Sequence, residues 1–317
     1  MISKKVIIDC DTGVDDALAI ILALKSPGLD IKAITSVSGN VSACQCYRNV
    51  LRIMEILTPS YLPLLAKGSE KPFSGKDNFA PHVHGTDGLG DIEEIFNDDG
   101  TKRYSPLDVS EEREDAVGLF YELIDAYPGE ITLIATGPLT NVATAIANEK
   151  NKIKKLREIV LMGGAFNVPG NVTPFAEFNI FFDPEAAEIV FNSGIPVTAV
   201  GLDVTQKAVL SEQCLVNSIG NKKTKINQFL IDITGKYMDF HRREENFSGC
   251  YLHDPLAVGV AIDRSFVKTV KAEVNVETKE DKTRGKTTLD LSRPFSEICI
   301  KVDSESFLKF FLERVID

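Results

Sequence analysis

Val6-Ile7-Ile8-Asp9-Cys10-Asp11-Thr12-Gly13-Val14-Asp15-Asp16-Ala17 joins one apolar run to another through four aspartates. The residues before Asp9 predict a strand buried on both faces, as strands of parallel sheets are. The run from Ala17 to Leu24 predicts an apolar helix. Strand, turn and helix in that order begin a βαβ unit. Asp9, Asp11, Asp15 and Asp16 therefore fall at the carboxyl end of a first strand, where open α/β sheets hold their ligands. Two carboxylates about 4 Å apart repel by roughly 4 kcal/mol at an effective dielectric near 20. Four of them need a compensating charge, and oxygen-only donors at a strand end suit a hard divalent cation.

Outward from that stretch, strand-like and helix-like segments keep alternating. Residues 31–37 predict a strand, 42–56 a helix, 115–127 a helix and 130–135 a strand. Residues 140–148 then predict a helix, 158–162 a strand, 184–191 a helix and 195–200 a strand. Loops after these strands carry Gly and polar residues (Gly39-Asn40, Thr136-Gly137-Pro138, Gly163-Gly164), so several should converge on one crevice. A long helix is expected over 222–241, strands over 270–277, 286–291 and 297–302, and a final helix over 304–315. The expected class is α/β: an open, mostly parallel, Rossmann-like sheet flanked by helices, with a β-rich C-terminal extension. One domain, 1–317, is expected, with 67–100 the nearest thing to an insertion and Lys279-Glu280-Asp281-Lys282 a solvated hairpin tip.

The 317 residues are 44% hydrophobic and 26% charged, ordinary for a globular protein. A net charge of −11 argues against a nucleic-acid partner, which would call for a basic face. No run of apolar residues is long enough to span a membrane, and the first strand begins too early to leave room for a signal peptide. Six cysteines without a paired C-x-x-C spacing imply reduced thiols rather than a zinc or redox site, and a cytoplasmic location is expected. Cys10 should face the core.

The aspartates admit several readings. Asp15 and Asp16 could serve only to cap a helix, which accounts for two acids but not four. An EF-hand loop fails, because the Gly offset is wrong and no Glu stands at position twelve. A phosphomonoesterase of the haloacid-dehalogenase type, with Asp9 as nucleophile in Asp9-Cys10-Asp11-Thr12, fits the outline.

Asp-x-Asp-x-Gly-x-Asp-Asp-Ala resembles the amino-terminal signature of the inosine-uridine preferring nucleoside hydrolases. Four further segments resemble that family in order: Ser38-Gly39-Asn40, Thr136-Gly137-Pro138-Leu139-Thr140-Asn141, Met162-Gly163-Gly164 running to Ala176-Glu177-Phe178-Asn179, and His253-Asp254-Pro255. Together they span residues 9 to 255. Thr12 departs from the Pro usual at its position, a turn residue that supplies no side-chain ligand.

The resemblance implies hydrolysis of a ribonucleoside's N-glycosidic bond to ribose and free base. Ca2+ would be held by Asp11, Asp16, the Thr136 carbonyl and Asp254, lowering the pKa of a water whose proton Asp11 takes as general base. Asp15 and Asn40 would grip the ribose hydroxyls, with Asp9 behind them. Asn171, Glu177 and Asn179 would bind the ribose and its 5′-hydroxyl, beside Met162 and Phe178. Glu177 and Asn179, at i and i+2, are expected on one side of an extended segment. His253 would assist the leaving base, a role suited to a near-neutral pKa. His84, in His84-Gly85-Thr86-Asp87-Gly88, belongs to a loop expected over the nucleoside, and His82 has a weaker claim.

Tyr237 and His241, one helical turn apart, fall where the family places base contacts. The absence of Trp tilts the expectation toward pyrimidine or mixed inosine/uridine substrates. The family also implies a homodimer or homotetramer. A third reading, a non-catalytic nucleoside-binding protein, finds no visible lesion among these residues.

Overall fold

The protein is described by a computed structural model covering residues 3–75 and 79–317. Its first half runs β1 (Lys4–Cys10), α1 (Val14–Leu24), β2 (Leu29–Ser36), α2 (Ala43–Leu57), β3 (Leu64–Lys67), α3 (Pro81–His84), α4 (Ala116–Ala126), β4 (Thr132–Ala135), α5 (Thr140–Ile153) and β5 (Glu158–Met162). There follow α6 (Phe178–Phe182), α7 (Pro184–Phe191), β6 (Val197–Val200), α8 (Leu202–Thr205), β7 (Val209–Ser211), α9 (Glu212–Ile219) and α10 (Lys225–Glu244). The chain closes with β8 (Gly249–Tyr251), α11 (His253–Ile262), β9 (Val267–Val276), β10 (Thr287–Asp290), β11 (Ser296–Val302) and α12 (Ser304–Val315).

Nine strands form one sheet in the order β10-β9-β11-β6-β5-β4-β1-β2-β3. From β11 to β3 every neighbouring pair is parallel, and β9 and β10 add an antiparallel edge. The β-rich C-terminal extension belongs to this same sheet, because β11 docks parallel to β6 and carries β9 and β10 at its edge. The open, mostly parallel α/β architecture is as expected.

Alternation along β1 sends Val6, Ile8 and Cys10 into the apolar layer shared with α1, α2, α10, α11 and α12. Ile7 goes to the opposite layer, under α4, α5 and α7. The chain leaves β1 for β2 on one side, while β4 lies on the other. That reversal of strand order opens a crevice beyond the carboxyl ends of β1 and β4, and Asp11 and Thr136 stand at those two ends.

Several local expectations need correction. Helix α1 begins at Val14 rather than Ala17, because Asp16 at its third position accepts from Gly13 N at 2.8 Å and closes the helix start. Asp15 and Asp16 therefore belong to the helix's first turn. Glu177 and Asn179 are not on an extended segment: Glu177 caps α6, accepting from Asn179 N and Ile180 N. The 67–100 stretch carries β3's last residue and α3, and its residues 76–78 lie outside those described. The 279–282 charge run does sit at the tip joining β9 to β10. All six cysteines are free, and among the described residues no helix is long and apolar enough to cross a membrane.

Candidate active site

Beyond the β1 and β4 ends lies a cavity of about 400 Å³, within the range of small-molecule sites. Of the residues singled out from the sequence, Asp11, Asp15, Asn40, His84, Thr136, Met162, Asn171, Glu177, Phe178, Asn179, Tyr237, His241, His253 and Asp254 all line it. Asp16 does not; it stands one layer behind, with Oδ1 accepting from Thr136 Oγ1 at 2.7 Å and Oδ2 from Gly13 N. Contributions come from the β1 end, α1, α3, the β4 end, α6, α10 and α11, which no short stretch of sequence could assemble.

Asp11 is seated by backbone. Its Oδ2 accepts from Asn40 N at 2.8 Å. Gly39 and Gly137 press against it: a Cβ on Gly137 would lie 2.8 Å from Asp11 Oδ1, and one on Gly39 would overlap Oδ2. Glycine at both positions is what lets two loops close on one carboxylate.

Asp15, Asp16 and Asp254 have carboxylate oxygens within 4.8 Å of one another, and Asp11 faces the first two. All four acids are buried, and among the described residues none pairs with a Lys or Arg. Burial, with repulsion between neighbouring acids, pushes the carboxyls of Asp11, Asp15 and Asp254 up, Asp15 to about 7. Burial raises Asp16 too, against the hydrogen bonds from Thr136 and Gly13. Asp15 Oδ1 is buried without a hydrogen-bond partner. A hard cation among these oxygens would relieve each of these penalties, so the donor set fits a divalent metal. Asp15 is part of the acid cluster and also lines the cavity.

Asn179 braces the same corner. Its Nδ2 donates to the Thr136 carbonyl at 2.7 Å and to the Met162 carbonyl at 3.1 Å. The Thr136 oxygen keeps its second lone pair for a ligand. Glu177 spends both oxygens on backbone, Oε1 on Asn179 N and Oε2 on Gly164 N and Ile180 N. Asn171 holds Phe178 N at 3.0 Å, so it both caps α6 and lines the cavity.

Asp9 stands apart. It does not line the cavity, and its Oδ1 accepts from Thr35 Oγ1 and Asn141 Nδ2. The phosphomonoesterase reading needs Asp9 open to substrate, and this geometry removes it.

The imidazoles form the other side. Val14 N donates to His84 Nδ1 at 3.2 Å, so the neutral ring carries its proton on Nε2. His84 stacks on Tyr237 with centroids 5.1 Å apart, and Tyr237 packs on His241 at 4.7 Å. His253 Nδ1 meets Thr205 Oγ1 at 2.8 Å. Burial holds both His84 and His253 down to about 3. In this setting each ring is a neutral hydrogen-bonding group, and for His253 hydrogen bonding is one of the two leaving-group roles that the resemblance implies. His82 lines the cavity beside Phe240. Helix α10 is fixed over the site by the Lys236–Asp91 ion pair and by Tyr104 Oη on Asp232 at 2.6 Å.

Sequence reasoning missed Gln206, Phe240, Glu245 and Tyr251, which also line the cavity. Tyr251 alternates with His253 just before α11, and Glu245 is one turn beyond His241, so spacing could have found both.

A sequence model of the inosine-uridine preferring nucleoside hydrolases matches residues 6–309. A pyrimidine-specific ribonucleoside hydrolase from Salmonella arizonae is 40% identical, over 98% of this chain and 97% of its own. Uridine nucleosidase 1 from Arabidopsis thaliana is 38% identical over 87% of this chain and 79% of its own. Among solved structures, a purine-preferring ribonucleoside hydrolase from Gardnerella vaginalis superposes with a TM-score of 0.88 at 35% identity, over 98% of both chains.

Proposed function

Since this chain belongs to the inosine-uridine preferring nucleoside hydrolase family, and is thus a nucleoside N-ribohydrolase, we propose that it is calcium-dependent and prefers pyrimidine or mixed inosine/uridine ribonucleosides. The carrying observation is a buried, uncompensated acid set: Asp11, Asp15 and Asp254 on one wall of a nucleoside-sized cavity, with Asp16 directly behind them. Asp11, Asp16, Asp254 and the Thr136 carbonyl would hold the ion, and an all-oxygen set of this size suits Ca2+ better than a strict Mg2+ octahedron. Bound there, the cation supplies Lewis-acid activation of a water and a template for the ribose hydroxyls.

The chain's own groups do the rest. Asp11 takes the proton from the attacking water as general base. Asp15 and Asn40 orient the ribose 2′- and 3′-hydroxyls, while Asn171, Glu177 and Asn179, beside Met162 and Phe178, surround the 5′ end. The reaction passes through an electron-poor, oxocarbenium-like sugar, which these acidic and amide groups stabilise more than the ground state. His253 hydrogen-bonds the departing base, and His84, Tyr237 and His241 pack around it. Attack without a covalent intermediate inverts the anomeric carbon. The pyrimidine-specific and uridine-cleaving relatives favour pyrimidines, while the purine-preferring structure keeps inosine in play.

The whole chain, 1–317, acts as one nucleoside hydrolase domain, cytoplasmic and assembled as a homodimer or homotetramer. The test is to incubate the purified protein with calcium and uridine, cytidine, inosine or adenosine and to follow reducing-sugar release. Ribose from uridine is expected; no ribose from any of the four overturns the reading.

A further inference from the structure

His241 is nearly buried and lines the cavity, yet neither ring nitrogen has a hydrogen-bond partner among the described residues. Buried polar atoms without partners are rare and call for a functional account. The ring is caged by Tyr237 and Phe240 of its own helix, by Phe247 at 5.2 Å and by Tyr251 of β8 at 4.9 Å. That packing leaves the imidazole few ways to turn.

Among the described residues one charged group reaches it. Glu245 caps the carboxyl end of α10, its own N–H returning to the His241 carbonyl at 2.9 Å. The i, i+4 spacing puts the two side chains on one face, with Glu245 Oε1 3.4 Å from His241 Nδ1. Oε2 of the same carboxylate accepts from Tyr251 Oη at 2.6 Å. Tyr251 thus holds the partly exposed carboxylate beside Nδ1.

We propose that Glu245 is the positioning residue for His241: it accepts the Nδ1 proton, fixes the ring, and leaves Nε2 as the nitrogen that meets the base of a bound nucleoside. This assignment rests on the nucleoside-hydrolase reading for the identity of the ligand, though not for the pairing itself. It also gives the cavity two imidazoles of opposite polarity, since His84 takes Val14 N–H at Nδ1 and presents Nε2–H. One neutral ring then donates to the base and the other accepts from it, with Tyr237 between them.

The titratable groups around His241 are Glu245 and Tyr237 on its helix, Tyr251 on β8, His84 on α3 and His253 on α11. Burial lowers the His241 pKa, and Glu245 alone among its recorded influences raises it. The chain has only four histidines, so the imidazole nitrogens of 15N-histidine-labelled full-length protein can be resolved by NMR. The His241 signals are identified as those lost in His241→Gln.

The neutral His241 ring is expected to carry its proton on Nδ1. Its pKa should fall by about one in both Glu245→Gln and Glu245→Leu, with kcat/KM for uridine falling about tenfold and thermal midpoints shifted by no more than about 2 °C. A purely structural Glu245 would move the midpoint and leave the titration alone. An unchanged His241 pKa in both variants, or a wild-type ring protonated at Nε2 when neutral, overturns the assignment. Because the spectra require no turnover, a protein that releases ribose from no nucleoside would fail the functional reading while the pairing is still decided by NMR.

Discussion

Asn141 Nδ2 donates to Asp9 Oδ1 at 2.8 Å, linking α5 to the first strand across 132 residues of sequence. Thr35 Oγ1 reaches the same oxygen at 2.6 Å from β2. These bonds hold Asp9 on the sheet face opposite Cys10, since successive strand residues point to opposite sides. Asp11, just past the strand end, faces the cavity instead. Two acids separated by one residue thus divide into a support and a group that faces the cavity.

That division predicts unequal kinetic losses. Asp11→Asn removes the proposed general base and should lower kcat for uridine by about 10²–10⁴. Asp9→Asn keeps the shape of the support and should cost about tenfold or less, because Thr35 and Asn141 still brace the position. Steady-state kinetics on both variants decides the matter, with similar losses at the two positions counting against it. Neither variant nor the parent should dephosphorylate a phosphomonoester.

Gly39→Ala probes the seat of Asp11 without touching an acid. The added methyl would overlap the Asp11 carboxyl group, so the carboxylate must turn away. Displacements of about 1 Å at a reacting group cost roughly 10²-fold. A fall of about that size in kcat/KM is expected, along with weaker calcium binding by calorimetry. Crystals of Gly39→Ala showing Asp11 unmoved would contradict the account.

Removing the metal should destabilise the protein in a pH-dependent way. The Asp9 and Asp15 carboxyls are raised from 3.8 to about 7, so the folded, metal-free protein holds these protons more tightly than the unfolded chain. A raised carboxyl contributes stability that is present below the unfolded value and lost as pH climbs through the folded one. That window runs from about pH 4 to about pH 7 here. A bound cation offsets the loss. Thermal midpoints measured with and without EDTA should therefore differ more at pH 8 than at pH 5. An equal or reversed gap would mean that the acid cluster is not the metal's seat.

The parallel sheet and the acids were legible because both are local signals. An apolar run of strand length before Asp9, and loops such as Gly163-Gly164 after later strands, carry their own address. Segments whose state depends on distant partners were not legible. Glu177 caps α6 because Gly164 N and Ile180 N converge on it, which spacing cannot reveal. The membership of β11 in the main sheet rests on pairing with β6, about a hundred residues earlier. Glu245 and Tyr251 sit in no motif; only their spacing from His241 and His253 marks them, and α10 and β8 bring them together around His241.

Thr205→Val tests how His253 is held. Thr205 ends α8, and its hydroxyl lies 2.8 Å from His253 Nδ1 at the start of α11. Both residues are buried, so the hydroxyl anchors the ring and, under the proposed role of His253, sets which nitrogen would face the departing base. Valine keeps the branched shape and deletes only that bond, at about 1–3 kcal/mol for a buried imidazole nitrogen left unsatisfied. Expressed in the transition state, a loss of that size should lower kcat by about tenfold or more, while KM for uridine should change little, since the proposed ribose contacts of Asp15 and Asn40 are untouched. His253→Ala should cost more, and the double variant should cost no more than His253→Ala alone, since Thr205 acts only through the ring. Additive losses in that cycle would show that Thr205 serves the site by another route.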